Sequence, residues 1–121
     1  MTHTILAIDD SRTMRTMLKV ALTNAGFDVQ LAEDGIDGLE QFEKSVPDAV
    51  ITDINMPRLD GFGVIDGIRK ESQYRSVPIL VLTTESANDL KMRAKTAGAT
   101  GWIVKPFDQD KLVGALRRLV P

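Results

Sequence analysis

The sequence predicts a doubly wound α/β domain built on a parallel five-stranded sheet, and three observations carry that prediction. Short β-branched or apolar runs recur at Thr4–Ile8, Val29–Ala32, Ala49–Thr52, Ile79–Thr83 and Gly101–Val104, with segments of helical spacing between them. The repeat is about 24 residues, near the length a strand–helix–strand crossover requires. The runs Ala49–Ile51 and Ile79–Leu82 are continuously apolar, as parallel strands covered by helices on both faces are.

The helices follow in order. Met14, Met17, Leu18, Ala21, Leu22 and Ala25 fall at i, i+3, i+4, i+7, i+8 and i+11, which is one apolar stripe of an amphipathic helix. Gly26 follows where a helix end wants a residue tolerant of positive φ. Ile36, Leu39 and Phe42 mark a second helix, entered through Asp34-Gly35. Ile65 and Ile68 mark a third, with Asp60 as its cap. Ser86-Ala-Asn-Asp89 resembles a capping box opening a fourth, weaker helix. Asp108 caps a fifth, whose apolar face is Leu112, Leu116 and Leu119.

Length and composition bound the function. At 121 residues, 43% apolar and 26% charged, the chain is expected to form a single domain over residues 1–121. No linker, low-complexity tract or long charge run divides it. The absence of cysteine excludes disulfides, thiolate metal sites and cysteine nucleophiles. A net charge of −2 offers no pull toward nucleic acid. No apolar run approaches membrane-spanning length and no signal peptide is visible, so a cytoplasmic location without membrane contact is expected.

In doubly wound sheets ligands sit beyond the carboxyl ends of the strands. Asp9 and Asp10 follow the first strand and Asp53 the third, Thr83 and Thr84 stand at the end of the fourth, and Lys105 follows the fifth. A parallel sheet brings them to one edge. Any one alone is ordinary: a strand-end Asp is usually a cap or turn former, and Lys105 alone would be a surface residue. Together they pose an electrostatic problem, because three neighbouring carboxylates raise one another's pKa unless a cation neutralises them. With His3 as the sole imidazole, at the terminus, the ligand set is all oxygen and suits a hard cation, Mg²⁺ before Ca²⁺. Lys105 cannot ligate a metal while charged but can pair with a phosphoryl oxygen, and Thr83 can donate to another. A phosphoryl site fits better than a calcium store. Asp53, after a central strand, is the better candidate for a carboxylate nucleophile that forms an aspartyl phosphate. Asp9 and Asp10 are expected to divide into one direct metal ligand and one acting through water.

These residues lie within longer motifs: Asp9-Asp10-Ser11-Arg12-Thr13-Met14-Arg15, Glu33-Asp34-Gly35, Thr52-Asp53-Ile54-Asn55-Met56-Pro57 with Asp60-Gly61, Val81-Leu82-Thr83-Thr84-Glu85, Ala97-Gly98-Ala99 and Lys105-Pro106-Phe107. In order and spacing the chain resembles the receiver domain of two-component response regulators, and most closely the stand-alone, CheY-like chemotaxis type. The resemblance implies a flavodoxin-like fold with strand order 2-1-3-4-5. It implies Asp53 as the acceptor of a phosphoryl group from a sensor histidine kinase of the CheA type. Asp9, Asp10, Asp53 and the main-chain carbonyl of Asn55 would bind Mg²⁺, with Mn²⁺ as an alternative occupant. Thr83, with Thr84 beside it, and Lys105 would bind the phosphoryl oxygens. Asn55 and Glu85 would tune autodephosphorylation, and the bond before Pro106 would be cis. Trp102 departs from the Tyr or Phe usual at the family's switch position, and it can equally belong to a partner-binding surface.

The resemblance makes the chain a phosphoacceptor signalling protein rather than an enzyme, outside its own phosphorylation and autodephosphorylation. With nothing after residue 121, no output domain is expected, and a monomer would signal through a partner such as the flagellar motor switch. A phosphate sink, or another stand-alone receiver in a phosphorelay, would need the same site. Exposed residues including Met92, Trp102, Arg117 and Arg118 would decide between these. A haloacid-dehalogenase-type phosphatase is disfavoured because its general-acid Asp is replaced by Asn55. No phosphate-binding Gly-rich loop or Gly-x-Ser-x-Gly motif appears; Gly61-Phe62-Gly63 lacks the third glycine.

Overall fold

The computed structural model describes residues 2–120. Five parallel strands, β1 (Thr4–Ile8), β2 (Asp28–Ala32), β3 (Ala49–Thr52), β4 (Ile79–Thr83) and β5 (Gly101–Val104), alternate with five helices. The helices are α1 (Arg12–Asn24), α2 (Gly35–Lys44), α3 (Gly61–Arg69), α4 (Asn88–Ala97) and α5 (Gln109–Leu119), with one short 3₁₀ turn at Ser72–Tyr74. The strand order is 2-1-3-4-5, as the resemblance implies. Four strands match the sequence prediction to the residue and β2 begins one residue earlier.

Strand alternation divides the core into two layers. Ile5 and Ala7 of β1, with Ile51, Leu80 and Leu82, pack against Leu18 and Leu22 of α1 and Leu112 and Leu116 of α5. Leu6 and Ile8, with Val50, Ile79 and Val81, pack against Phe42 of α2, Ile65 and Ile68 of α3 and Ala94 of α4. Every residue of β3 and β4 is buried, which explains their unbroken apolar sequence.

Caps form as predicted at Asp60 and Asp108, and Asp34, expected only as an entry turn, caps α2 as well, each accepting the N–H three residues on. Gly26 has φ of 95°, the left-handed turn that closes α1. Two expectations fail. The capping box at Ser86 does not form: α4 starts one residue later, with Ala87 in the cap position and no side chain bonding its first N–H groups. Met17 is 47% exposed instead of facing the core. It sits at the rim of the α1 stripe, where it lines a surface groove together with Val20, Phe107 and Gln109.

The loop after β3 is fixed at two points. Gly61 donates its N–H to the Ile54 carbonyl at 2.8 Å, and a Cβ at Gly61 would overlap the Asp53 carbonyl oxygen. Arg58, held in the left-handed region at φ 66°, reaches both carboxylate oxygens of buried Asp34 at 2.7 and 3.0 Å. Hydrogen bonding to Arg58 holds the Asp34 carboxyl below its usual pKa. A lowered carboxylate pKa stabilises the fold above the unfolded value, and that stability disappears as pH falls through the folded value. Asp34→Asn keeps the cap and loses the charge, so its stability deficit should be present at pH 7 and shrink toward pH 3, read by chemical denaturation at both pH values. Gly61→Ala should lower stability by about 1–3 kcal/mol through overpacking, a fall of roughly 4–12 °C in melting temperature.

Candidate functional site

The parallel hydrogen-bond ladder runs one residue past three of the strands, and this sets the site. Asp9 donates its N–H to the Ala32 carbonyl and Asp53 donates to Ile8, both at 3.1 Å, while Lys105 donates to Thr83 at 2.8 Å. Three of the candidate site residues therefore start from rigid sheet positions. Their side chains converge: the Lys105 ammonium lies 2.8 Å from Asp9 Oδ2 and 2.7 Å from Asp53 Oδ2. Asp9 and Asp53 are buried and the Lys105 side chain is only 11% exposed. Asp9 Oδ1 accepts the Ser11 N–H at 2.9 Å and Asp53 Oδ1 accepts the Ile54 N–H at 2.6 Å. Asp10 is exposed, and none of the hydrogen bonds described reaches its side chain.

One oxygen from each of Asp9, Asp10 and Asp53 lies within 4.8 Å of the others. One ammonium against three carboxylates leaves two formal negative charges in the cleft. Burial disfavours the charged Lys105 ammonium, but its hydrogen bonds to Asp53 and Asp9 outweigh that and raise its pKa. An all-oxygen donor set with an excess of two negative charges fits a hard divalent cation. Asp9, Asp10 and Asp53 would hold it, and the cation would offset the charge that Lys105 leaves.

The remaining predicted residues ring the cleft without joining that cluster. Thr83 is fully buried, and its hydroxyl accepts the Glu85 N–H at 3.3 Å. Thr84 is exposed. The Asn55 side chain donates to Glu85 Oε1 at 3.0 Å, so these two residues touch each other across the mouth. The Trp102 indole N–H, which needs a partner when half-buried, donates to the Glu85 carbonyl at 3.1 Å. The Lys105–Pro106 peptide is cis, as the resemblance implies.

Arg15 is the contact that sequence reasoning missed, although it lies within the first motif. Its guanidinium donates to the Asp9 carbonyl at 2.7 Å. A signal was available: the first turn of α1 carries Arg12 and Arg15 and no acidic residue, against the helix dipole, which suggests a local partner for a basic side chain.

Because Asp10 adds negative charge without a partner of its own, Asp10→Ala should raise the melting temperature in chelator. Mg²⁺ should stabilise the parent by mass action and the variant much less. Thermal melts of both proteins, with chelator and with millimolar Mg²⁺, read this directly, and a lower melting temperature for the variant in chelator would refute the repulsion account.

The model of the response regulator receiver domain family matches residues 5–117. The solved structure of the Vibrio cholerae chemotaxis protein CheY4 superposes with a TM-score of 0.93 at 41% identity, covering 99% of this chain and 100% of that one. Protein PilG of Pseudomonas aeruginosa is 33% identical over 117 residues, 97% of this chain and 87% of its own length. Response regulator MprA of Mycobacterium leprae is 38% identical over 116 residues, and this chain spans only half of its length. An oxygen-lined acidic cleft with a bridging lysine, on a 2-1-3-4-5 sheet and inside a matching sequence frame, makes this chain a member of the response regulator receiver domain family of two-component systems.

Proposed function

We propose that the chain is a phosphorylated switch of the chemotaxis type, with Asp53 as phosphoacceptor. The observation that carries this is the Lys105 ammonium bridging Asp9 and Asp53 at the centre of the cleft. Receiver domains take their phosphoryl group from histidine kinases, and the likeness to CheY4 supports a chemotaxis setting. A carboxylate oxygen of Asp53 attacks the phosphorus of a phosphohistidine. The O–P bond forms as the P–N bond breaks, and the electron pair leaves with the imidazole, which takes up a proton. Ile54 N–H and Lys105 hold the Asp53 carboxylate in place for this attack. Lys105 then pairs with a phosphoryl oxygen and Thr83 donates to another. Mg²⁺, when held by Asp9, Asp10, Asp53 and the Asn55 carbonyl, supplies charge neutralisation for the incoming phosphoryl group. Asn55 and Glu85 at the mouth govern water access and so the lifetime of the phosphoryl group.

The output face is α4, β5 and α5. Movement of the Thr83 hydroxyl to a phosphoryl oxygen releases the Glu85 N–H it now accepts, and Glu85 also holds Trp102. Helix α4 is poorly anchored, with no side-chain cap and Ala94 as its only buried residue, so it can move at low cost. A groove beside Trp102 is lined by Lys111, Arg118 and Asp110 on one side, net positive, and a second by Lys91 and Lys95 on the other. Their charge suits an acidic segment of a partner such as the motor switch. A change from mostly inactive to mostly active needs about 3–5 kcal/mol of differential interaction, within reach of a set of buried charge-assisted hydrogen bonds. A phosphate sink uses the same cleft and would need no partner on this face.

The test is a titration with Mg²⁺ and then beryllofluoride, a phosphoryl mimic, followed by fluorescence of Trp102, the sole tryptophan. Both should give saturable changes, and the beryllofluoride response should vanish in Asp53→Asn. If beryllofluoride gives the same response in that variant, Asp53 is not the acceptor.

A further inference from the structure

We propose that Arg15 is a positioning residue for the cleft: its guanidinium fixes the Asp9–Asp10 peptide and thereby aims the Asp10 carboxylate at the divalent cation. This rests on the Mg²⁺ site described under the proposed function. Asp9 needs no such help, since its N–H bonds to Ala32 and its two carboxylate oxygens bond to Ser11 and Lys105. Asp10 has none of these. Its side chain is exposed, and none of the hydrogen bonds described holds it. The direction of its Cα–Cβ bond is therefore set by the backbone alone. The Asp9 carbonyl and the Asp10 amide nitrogen share one rigid peptide plane, so a strong donor on that carbonyl limits rotation of the plane. Arg15 is that donor, at 2.7 Å, from a half-buried side chain that makes no ion pair among the described residues.

The placement opposes simple electrostatics twice. A cation in the first turn of α1 is disfavoured by the helix dipole, and a cation beside a metal site repels the metal. These costs give charge and positioning opposite signs in an experiment. If Arg15 acted through charge alone, Arg15→Gln would tighten Mg²⁺ binding. If Arg15 orients Asp10, the same change weakens it, by about tenfold on the scale of other outer-shell partners of metal ligands.

The measurement is calorimetric Mg²⁺ titration of the full chain, as parent, Arg15→Gln, Arg15→Lys, Asp10→Ala and the Asp10→Ala/Arg15→Gln double variant. Arg15→Gln should bind Mg²⁺ about tenfold more weakly, and Arg15→Lys, which keeps a donor without the planar fork, should recover part of the loss. In the Asp10→Ala background Arg15→Gln should change the affinity by less than about twofold, because its target is gone. Unchanged or tighter binding by Arg15→Gln overturns the proposal. So does a full tenfold loss in the Asp10→Ala background, which would make Arg15 a support of the fold. If melting in chelator shows Arg15→Gln unfolded, the same cycle is run with Arg15→Lys, where a loss confined to the Asp10-containing background supports the proposal and its absence overturns it. A parent that takes up no Mg²⁺ overturns the metal reading itself, an outcome distinct from normal parental binding with indifferent Arg15 variants.

Discussion

The Lys105 ammonium between Asp9 and Asp53 is the interaction on which the rest of the cleft depends. It joins residues separated by 96 and 52 positions in the chain and draws together the ends of β1, β3 and β5. The arrangement is costly in isolation, since burying charge forfeits hydration and the pair's attraction offsets that only with well-made hydrogen bonds. Here each carboxylate has a backbone N–H on its second oxygen. The cost is thereby met within the sheet edge, while one ammonium still falls short of three carboxylates. A cleft built this way keeps its buried charges paired and still carries a net negative charge, which fits a divalent cation.

Most of the fold was legible because its signals are local. Apolar runs marked β3 and β4, periodic stripes marked α1 and α5, and Asp34, Asp60 and Asp108 cap helices through contacts three residues long. The failures share one cause, which is that the deciding partner lies far away in sequence. Ser86 looks like a cap, but the segment before α4 is tethered instead through the Glu85 carbonyl to Trp102, 17 residues on. Met17 fits the apolar stripe, but it lines a surface groove with Phe107 and Gln109, which come from the far end of the chain. The clamp of Arg58 on Asp34 spans 24 residues and depends on a left-handed backbone that no periodicity announces. The strand-end residues of the site were legible because a parallel sheet converts order in sequence into neighbourhood in space. The contacts of Asn55, Glu85 and Arg15 are set by side-chain reach and were not.

The two halves of the rim differ in stiffness. On the α3 side, Gly61 lies directly against the backbone of Asp53 and Ile54, and five of the nine residues of α3 are buried. On the α4 side, one residue of ten is buried and no side chain caps the helix. The Arg93 guanidinium of α4 stacks on Phe62 of α3, 3.9 Å from the ring centroid, beside the apolar packing of Leu90, Ala94 and Ala97. Asp53 therefore stands on the more firmly packed side, and the less anchored side is the one facing the basic grooves.

Glu85 is where the two sides meet. Its carboxylate takes the Asn55 amide at the cleft mouth, its N–H reaches the buried Thr83 hydroxyl, and its carbonyl holds the Trp102 indole. Three groups (the Asn55 amide at the cleft mouth, the buried Thr83 hydroxyl and the half-buried Trp102 indole) thus share one residue in a segment without a side-chain cap. Under the proposed switch, a shift of the Thr83 hydroxyl would free that part-buried backbone N–H to find another partner. Any resulting movement of the segment would carry with it the carbonyl that holds Trp102. A tryptophan suits this position for the same reason. Its fixed N–H ties a large aromatic surface to the Glu85 backbone, a tie that phenylalanine has no donor to make.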